Sequence, residues 1–321
     1  TNSLVLNLSF EGKRCSGVRF IKDGQIQEKL AFREVILSSG SINSPKILEL
    51  SGIGQPDLLL KNNITPFHEL SGVGENLRDH YSPRMRYGIH ARDFTFCERG
   101  NGLSLGIETL KYFFARRGFM ALSTVPLRMY FKTRIGLSSP DATISFMPYL
   151  TERRRRARVI SKRPGLTMSV NVLRPESRGS IHIASSSVHD APRINFNFLS
   201  AEVDRDTLIL ALKKGRKLMS TKPISDAVDG EIAPGANVET DEEILDWVIN
   251  TAETTYHPVG TCKMGSDAGA VVGADLKVHG LAGLRVADAS IMPTLTSGNT
   301  NAPSIMIGEK CSDMVLGSAK L

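Results

Sequence analysis

The sequence predicts a mixed α/β chain (α+β overall), with part of a doubly wound domain and a second domain built on a mainly antiparallel sheet. A short apolar strand, a tight loop and a helix follow one another over residues 33–54, the order typical of a parallel sheet. Apolar and polar residues alternate at 166–173 and 179–185, which indicates antiparallel strands with one face in a core.

The chain opens with segments typical of hairpin strands. "SLVLNLSF" and "SGVRFIKDG" are rich in β-branched and apolar residues, and Asp23 and Gly24 form a predicted turn after the second strand. "REVILSSG" is an apolar run that ends in Ser and Gly, as a buried parallel strand does at its carboxyl end. In the helix that follows, Ser44 is the predicted N-cap, Pro45 the first helical residue and Gly52 the left-handed stop.

The character of the sequence changes twice, which predicts three segments. Residues 1–80 and 253–321 are expected to form one domain, and residues 81–252 to form the second. The middle segment contains a predicted helix over "AEVDRDTLILALKKGRKLM". The last segment again contains a short apolar strand followed by a helix, with the strand in "GLRVADAS" and the closing helix in "APSIMIGEKCSDMVLG".

Composition excludes several classes of protein. A chain of 321 residues with 41% apolar residues can bury a core, and a net charge of +7 is modest enough to serve solubility, so we expect no nucleic-acid partner. No apolar run is long enough for an integral membrane segment. The four cysteines form no C-x-x-C pair and the histidines show no ligand spacing, so we expect no metal site.

Two residues are candidate catalytic residues, and each also has a structural interpretation. His257 in "YHPVGTCKMG" could be a base, a metal ligand or a ring that fills space, and the stretch alone does not decide. Asn299 in "SGNTN" could be a turn residue or a hydrogen-bonding group. Asn301 and Pro303 are predicted as the N-cap and first turn of the closing helix, whose N-terminus carries partial positive charge.

Four stretches occur in order: "GSINSPKILELSGIG", "GVGENLRDH", "YHPVGTCKMG" and "GLRVADASIMPTLTSGNTNAP". Together they resemble the glucose-methanol-choline (GMC) family of FAD-dependent oxidoreductases, most closely its choline-dehydrogenase-like branch. The resemblance implies that residues 1–80 and 253–321 belong to an FAD-binding domain and residues 81–252 to a substrate domain.

The resemblance also implies roles for single residues. His257 would be the base that takes the hydroxyl proton of an alcohol while hydride goes to flavin N5, and Asn299 would hydrogen-bond the substrate oxygen. His80 is expected to be structural. The residues assigned to FAD are Val5, Asp288, Ala289, Asn301 and Ala302.

The chain lacks one part of this family's pattern. No G-x-G-x-x-G turn is present, and "GVGENL" at 72–77 has only two of the glycines. We therefore expect this chain to be the C-terminal part of a longer enzyme and to be inactive alone. The alternatives are a redox-neutral enzyme resembling hydroxynitrile lyases and a non-catalytic basic binding module.

The expected substrate is a small primary alcohol. The electron acceptor, whether quinone, dye-like acceptor or oxygen, stays open, and the expected location is the cytoplasm or the periphery of the inner membrane.

Overall fold

The computed structural model describes residues 1–90, 95–154 and 157–317. Within them the chain divides into two compact units. The first unit takes in the described residues of 1–80, 174–201 and 256–321, and the second those of 81–173 and 202–255. Residues 174–201, which the sequence analysis assigned to the substrate domain, therefore lie in the first unit. No helix in the described ranges combines the length and apolar character that a membrane crossing needs.

Six α-helices and eighteen short or long strands are found in the described part of the chain. The helices are α1 (Gly40–Leu50), α2 (Pro56–Lys61), α3 (Gly102–Ala115), α4 (Glu202–Met219), α5 (Asp241–Thr251) and α6 (Asn301–Leu316). The strands are β1 (Ser3–Glu11), β2 (Arg14–Lys22), β3 (Gln25–Leu30), β4 (Val35–Leu37), β5 (Ile53–Gly54), β6 (His68–Glu69), β7 (Tyr81–Ser82), β8 (Arg84–Ile89), β9 (Leu127–Phe131), β10 (Ala142–Met147), β11 (Thr151–Arg154), β12 (Ala157–Ile160), β13 (Gly165–Val172), β14 (Ser180–His182), β15 (Arg193–Asn195), β16 (Val228–Ala233), β17 (Glu253–Thr254) and β18 (Leu284–Val286).

The first unit combines an antiparallel meander with a parallel strand pair. Strands β1, β2 and β3 pair in sequence order, and the turn between β2 and β3 has left-handed backbone at Asp23 and Gly24, as predicted. Strand β4 pairs in parallel with β18, with Val35 opposite Leu284. The predicted strands in "REVILSSG" and "GLRVADAS" are therefore neighbours, and their apolar residues join one core with the glycine-rich segment 259–287.

Helix α1 begins earlier than the sequence predicts. Its first residue is Gly40, so Ser44 and Pro45 lie inside the helix and the predicted N-cap is wrong. The reason is a long-range contact: Asp288 accepts hydrogen bonds from the Gly40 N–H at 2.9 Å and from the Ser44 hydroxyl at 2.6 Å. The predicted stop is confirmed, because Gly52 has left-handed backbone and donates its N–H to Glu49 O.

The proline inside α1 is accommodated by a side chain from elsewhere in the unit. Pro45 has no N–H to donate to the carbonyl of Ser41, four residues earlier, so that acceptor loses its helical partner. The Thr261 hydroxyl donates to the Ser41 carbonyl oxygen at 2.7 Å instead. Helix α1 is thereby attached to the "HPVGTCKMG" segment that contains His257.

The second unit is built on a five-stranded antiparallel sheet in the order β16-β8-β13-β10-β9, as the sequence predicts for this part of the chain. Helix α4, confirmed at its predicted position, packs on one face. Gly215 permits the close approach, because an added Cβ would lie 3.0 Å from Met168 Cε and 3.1 Å from Met85 Sδ. Helix α3, unlike α4, has large apolar side chains exposed to solvent, including Leu103 (84% exposed) and Phe114 (80% exposed).

A partly buried charged cluster ties three segments of the first unit together. The His182 ring contacts Glu49 at 2.6 Å through Nδ1 and Glu75 at 3.1 Å through Nε2. Glu49 is fully buried and also accepts the Ile183 N–H at 2.8 Å. Burial alone lowers the pKa of His182, but the hydrogen bonds to the two carboxylates outweigh it and raise that pKa to about 9.

Alkaline pH is expected to destabilise the first unit through this histidine. In the unfolded chain the ring has a pKa of about 6.5, so the folded ring binds its proton more tightly. The stabilisation is fully present below that pH and is lost as pH rises through about 9. A shift of this size corresponds to a loss on the order of 3 kcal/mol at most.

Urea unfolding of the chain between neutral pH and pH ~10 measures this loss against a His182→Gln variant. The variant lacks the titrating ring, so its unfolding free energy should fall less over the same range. Parallel pH curves for wild type and variant would contradict the prediction.

Candidate active site

His257 lies in a loop whose backbone is held on one side by residues 76–80. Arg78 and Val259 exchange both backbone hydrogen bonds, at 3.0 and 2.9 Å. The Asp79 carboxylate accepts the backbone N–H of His257 at 2.9 Å, and Asp79 itself is buried. Three bonds therefore fix the backbone on both sides of Pro258, and a fourth is made by the Ser41 hydroxyl to the Pro258 carbonyl at 2.7 Å.

The ring of His257 meets the ring of His80. Their Nδ1 atoms are 3.0 Å apart, a hydrogen-bonding distance, and the ring planes are nearly perpendicular at 86°. His80 is 4% exposed, so its ring belongs to the interior of the unit. From the sequence, His80 was expected to be structural, and no contact with His257 was predicted.

The glycine of this loop is required for the close approach of the two segments. Gly260 has φ +93°, and an added Cβ would lie 2.4 Å from the carbonyl oxygen of Asn76. The Asn76 side-chain amide also donates to the carbonyls of Gly260 at 3.3 Å and Pro293 at 3.2 Å. Asn76 therefore joins the His257 loop to the chain that leads towards Asn299.

The same loop is bonded on its other side to the segment that contains the predicted FAD residues. Cys262 N–H donates to Ser290 O at 2.9 Å and Met264 N–H donates to Ile291 O at 2.8 Å. Ala289, Ser290 and Ile291 form one turn of 3₁₀-helix. The structure thus places His257 and Ala289 in one hydrogen-bonded framework.

Asp288 uses both carboxylate oxygens inside the protein. One accepts from Gly40 and Ser44 of α1, and the other accepts the Ser290 N–H at 2.8 Å. The side chain is buried. Its visible role is to hold the start of α1 and the 3₁₀ turn together.

Cys262 in the same motif is a packing residue. The thiol is fully buried, and burial, aided by the charge of Asp288, raises its pKa well above the ordinary value. It stays protonated at neutral pH, so it does not act as a nucleophile.

Asn299 and the two predicted flavin residues of the closing helix lie at an exposed helix start. Helix α6 begins at Asn301, with Thr300 as the N-cap, so the predicted N-cap position of Asn301 is wrong by one residue. Asn299, Asn301 and Ala302 are all exposed in this chain. The Thr300 side chain makes no capping hydrogen bond and no acidic residue stands in the first turn of α6, so these residues do not neutralise its positive end.

Val5 lies apart from these residues. It is paired with Phe20 in the β1–β2 hairpin, and its partly buried side chain packs on the core of the first unit. The same core includes Val259 and Cys262 of the His257 loop.

The glycines of "GVGENL" serve backbone packing in this structure. An added Cβ at Gly72 would lie 2.2 Å from Gly269 O, and one at Gly74 would lie 2.2 Å from Ile181 O. The stretch forms turns and precedes no helix, whereas a dinucleotide-binding glycine turn opens a helix. The sequence interpretation that it is not such a turn is therefore confirmed.

The second unit contains a separate apolar cavity of about 710 Å³. It lies on the α4 side of the five-stranded sheet and is lined by residues that include Phe96, Leu127, Phe146, Leu166 and Met219. None of the residues predicted from the sequence lines it, so we do not assign it to the candidate site.

Comparison with known proteins decides the family. The amino- and carboxyl-terminal models of the family described as GMC oxidoreductase match residues 2–82 and 175–308. The chain belongs to the GMC oxidoreductase family.

Relatives of this GMC chain include two proteins named oxygen-dependent choline dehydrogenase. The one from Escherichia coli O45:K1 (strain S88 / ExPEC) is 38% identical over 325 residues, covering 100% of the chain and 57% of the relative. The one from Vibrio vulnificus (strain YJ016) is 35% identical over 315 residues, covering 98% and 56%. The chain thus spans little more than half the length of these relatives.

Solved structures share the fold of this GMC chain. A formate oxidase superposes with a TM-score of 0.89 at 24% identity, covering 98% of the chain and 60% of that protein. Pyridoxine 4-oxidase from Mesorbium loti superposes with a TM-score of 0.83 at 23% identity, covering 99% and 58%. The predicted fold class, with a partial doubly wound domain and an antiparallel second sheet, agrees with these neighbours.

Proposed function

We propose that this chain carries the catalytic histidine and part of the flavin site of an FAD-dependent oxidoreductase that oxidises a small primary alcohol. The family is one of oxidoreductases, and two relatives at 38% and 35% identity are named oxygen-dependent choline dehydrogenase. Choline is therefore the first alcohol to assay.

His257 is the base of this proposal. Its backbone N–H is held by Asp79, the loop beyond it is held by the Arg78–Val259 pair, and its Nδ1 is engaged by His80, so Nε2 is the nitrogen that would take the hydroxyl proton. A base held by several bonds loses little freedom when the substrate binds, which favours proton transfer. Asn299 would donate a hydrogen bond to the same oxygen without competing for the proton.

The residues present fit one part of FAD. When bound, FAD supplies the hydride acceptor for alcohol oxidation. The uncapped start of α6, without acidic residues in its first turn, suits an electronegative ring edge, and Asn301 and Ala302 would hold it there. Asp288 would act indirectly, by fixing the turn at Ala289, because both of its oxygens are used inside the protein. Val5 stays a proposed contact near the adenine.

One observation carries the proposal. The histidine of "YHPVGTCKMG" is fixed by its backbone and by its ring in a chain that belongs to the GMC family. A histidine that only fills space would not need a ring nitrogen and a backbone N–H that are both held, on a side chain that is only partly buried.

To test the proposal, this chain is joined to the part of a relative's sequence that the chain does not cover. The product is called the joined protein. The joined protein should bind FAD, and its flavin absorbance should be bleached by a primary alcohol such as choline without oxygen. Retained flavin with no bleaching by any primary alcohol tested would favour the redox-neutral alternative. Absence of flavin in a folded, joined protein would contradict the assignment.

The chain by itself is the matched control. It should purify without flavin, because the glycine-rich turn that holds a dinucleotide pyrophosphate is not found in its described residues. Exposed apolar side chains on α3, such as Phe113 at 70%, should make it prone to aggregate. A soluble, yellow chain with stoichiometric FAD would show that it is self-sufficient.

A further inference from the structure

His80 and His257 form a hydrogen bond whose direction has a chemical consequence. A bond between two Nδ1 atoms 3.0 Å apart contains one proton, so one ring donates and the other accepts. If His257 donates, a neutral His257 has its proton on Nδ1 and an open lone pair on Nε2. If His80 donates, a neutral His257 has its proton on Nε2, and that nitrogen cannot accept another.

Only the first arrangement permits His257 to act as a base through Nε2. We propose that His80 is a positioning residue that accepts the Nδ1–H of His257 and so fixes the tautomer able to take the substrate proton. The proposal rests on the proposed function, because the role of His257 as a base selects the direction of the bond.

The surroundings explain why the contact is maintained. His80 is 4% exposed, and the residues before it are bonded to the backbone on both sides of Pro258. The two rings therefore sit on segments that cannot slide past one another without breaking the Arg78–Val259 pair. The ring planes cross at 86°, so the rings do not stack, and their contact is the 3.0 Å approach of the two Nδ1 atoms.

The proton balance of the step is simple. The O–H bond of the alcohol breaks, its proton goes to Nε2 of His257, and the Nδ1–H of the resulting imidazolium stays bonded to His80. His80 gains and loses no proton. Its Nδ1 lone pair stabilises the imidazolium as the carboxylate does in a Ser-His-Asp triad, with a neutral acceptor in place of a charged one.

The tautomer can be measured in the chain itself, without cofactor or substrate. Histidine ring nitrogens are labelled with ¹⁵N, and the two signals are assigned by loss in His80→Gln and His257→Gln. At a pH where both rings are neutral, His257 should have a protonated Nδ1 and an unprotonated Nε2, and His80 the reverse. In His80→Ala, the Nδ1–H form of His257 should fall to the minor share seen in water-exposed histidines.

The outcomes separate this proposal from the proposed function. A wild-type His257 with its proton on Nε2 overturns the proposal at once, even if every variant at residue 80 fails to fold. An unchanged tautomer in a folded His80→Ala chain also overturns it. If instead the tautomer is as expected but His257→Ala does not slow the joined enzyme, the proposed function fails while the hydrogen bond stands.

Activity supplies the second readout. In the joined enzyme, His80→Ala should lower kcat by about tenfold to a hundredfold, the range for groups that orient a reactive histidine through its other nitrogen. KM should stay near the wild-type value, because His80 does not touch substrate in the proposal. His80→Gln, whose amide oxygen can accept the same hydrogen bond, should recover part of the rate. Equal kcat in wild type and a folded His80→Ala enzyme would overturn the proposal.

Discussion

Replacing His257 with Ala in the joined, FAD-containing protein is expected to slow anaerobic flavin reduction by about 10²- to 10⁴-fold, the usual range for general-base catalysis. Without the ring, the hydroxyl proton has no acceptor within hydrogen-bonding distance as hydride leaves the carbon. The decrease should appear in the stopped-flow rate of flavin bleaching at saturating alcohol. Flavin content should be unchanged, because His257 is not among the residues proposed to hold FAD.

The pH dependence gives a sharper form of the same prediction. Only a neutral imidazole accepts a proton, so the wild-type rate should rise with pH as the imidazolium loses its proton. In His257→Ala that ionisation should disappear from the profile. A variant that reduces its flavin at the wild-type rate with the same profile would show that His257 is not the base.

Two further variants separate catalysis from packing. His257→Gln keeps a hydrogen-bonding side chain next to His80 but cannot take the proton, so it should be nearly as slow as the Ala variant. His189, which is exposed on the surface of the first unit, is the matched control, and His189→Ala should keep the wild-type rate. A packing role for His257 would instead lower stability and leave turnover normal in the folded molecules.

Local sequence patterns were sufficient to predict most of the architecture. The alternation in "LTMSVNVL" predicted strand β13, and the apolar runs in "REVILSSG" and "GLRVADAS" predicted strands β4 and β18. Gly52 was predicted as a helix stop because glycine adopts left-handed backbone without strain. These features depend on residues that are close in sequence.

Features that depend on distant residues were not predictable. Helix α1 begins at Gly40 because Asp288, 248 residues away, accepts its first N–H. The His80–His257 contact joins residues 177 positions apart, and each histidine looks ordinary in its own segment. The stretch "NLRDH" did contain a signal for such a contact. Arg78, Asp79 and His80 follow an apolar residue without a turn, and all three are buried in the structure. Buried polar residues in a row need partners. The partner of Asp79 and of His80 is His257, and the Arg78 guanidinium donates to the Pro175 carbonyl.

Replacing Asn299 with Ala has the second largest expected effect on catalysis. The amide is proposed to donate a hydrogen bond to the substrate oxygen, and that bond strengthens as negative charge develops there. Losing such a donor costs about 10²- to 10³-fold in rate. The loss should fall on the rate of flavin reduction rather than on the affinity for the alcohol, because the bond is stronger in the transition state than in the bound substrate.

The turn interpretation of Asn299 predicts a different result. Asparagine is favoured in turns mainly where the backbone is left-handed, and Asn299 does not adopt that conformation, whereas Asn76 and Asn197 do. Asn299→Ala should therefore leave the unfolding free energy close to wild type while the reduction rate falls. Asn299→His places another hydrogen-bond donor at the same position, and it should recover part of the rate. If Asn299→Ala weakens binding of the alcohol and leaves the reduction rate unchanged, Asn299 positions the substrate and does not stabilise the developing charge.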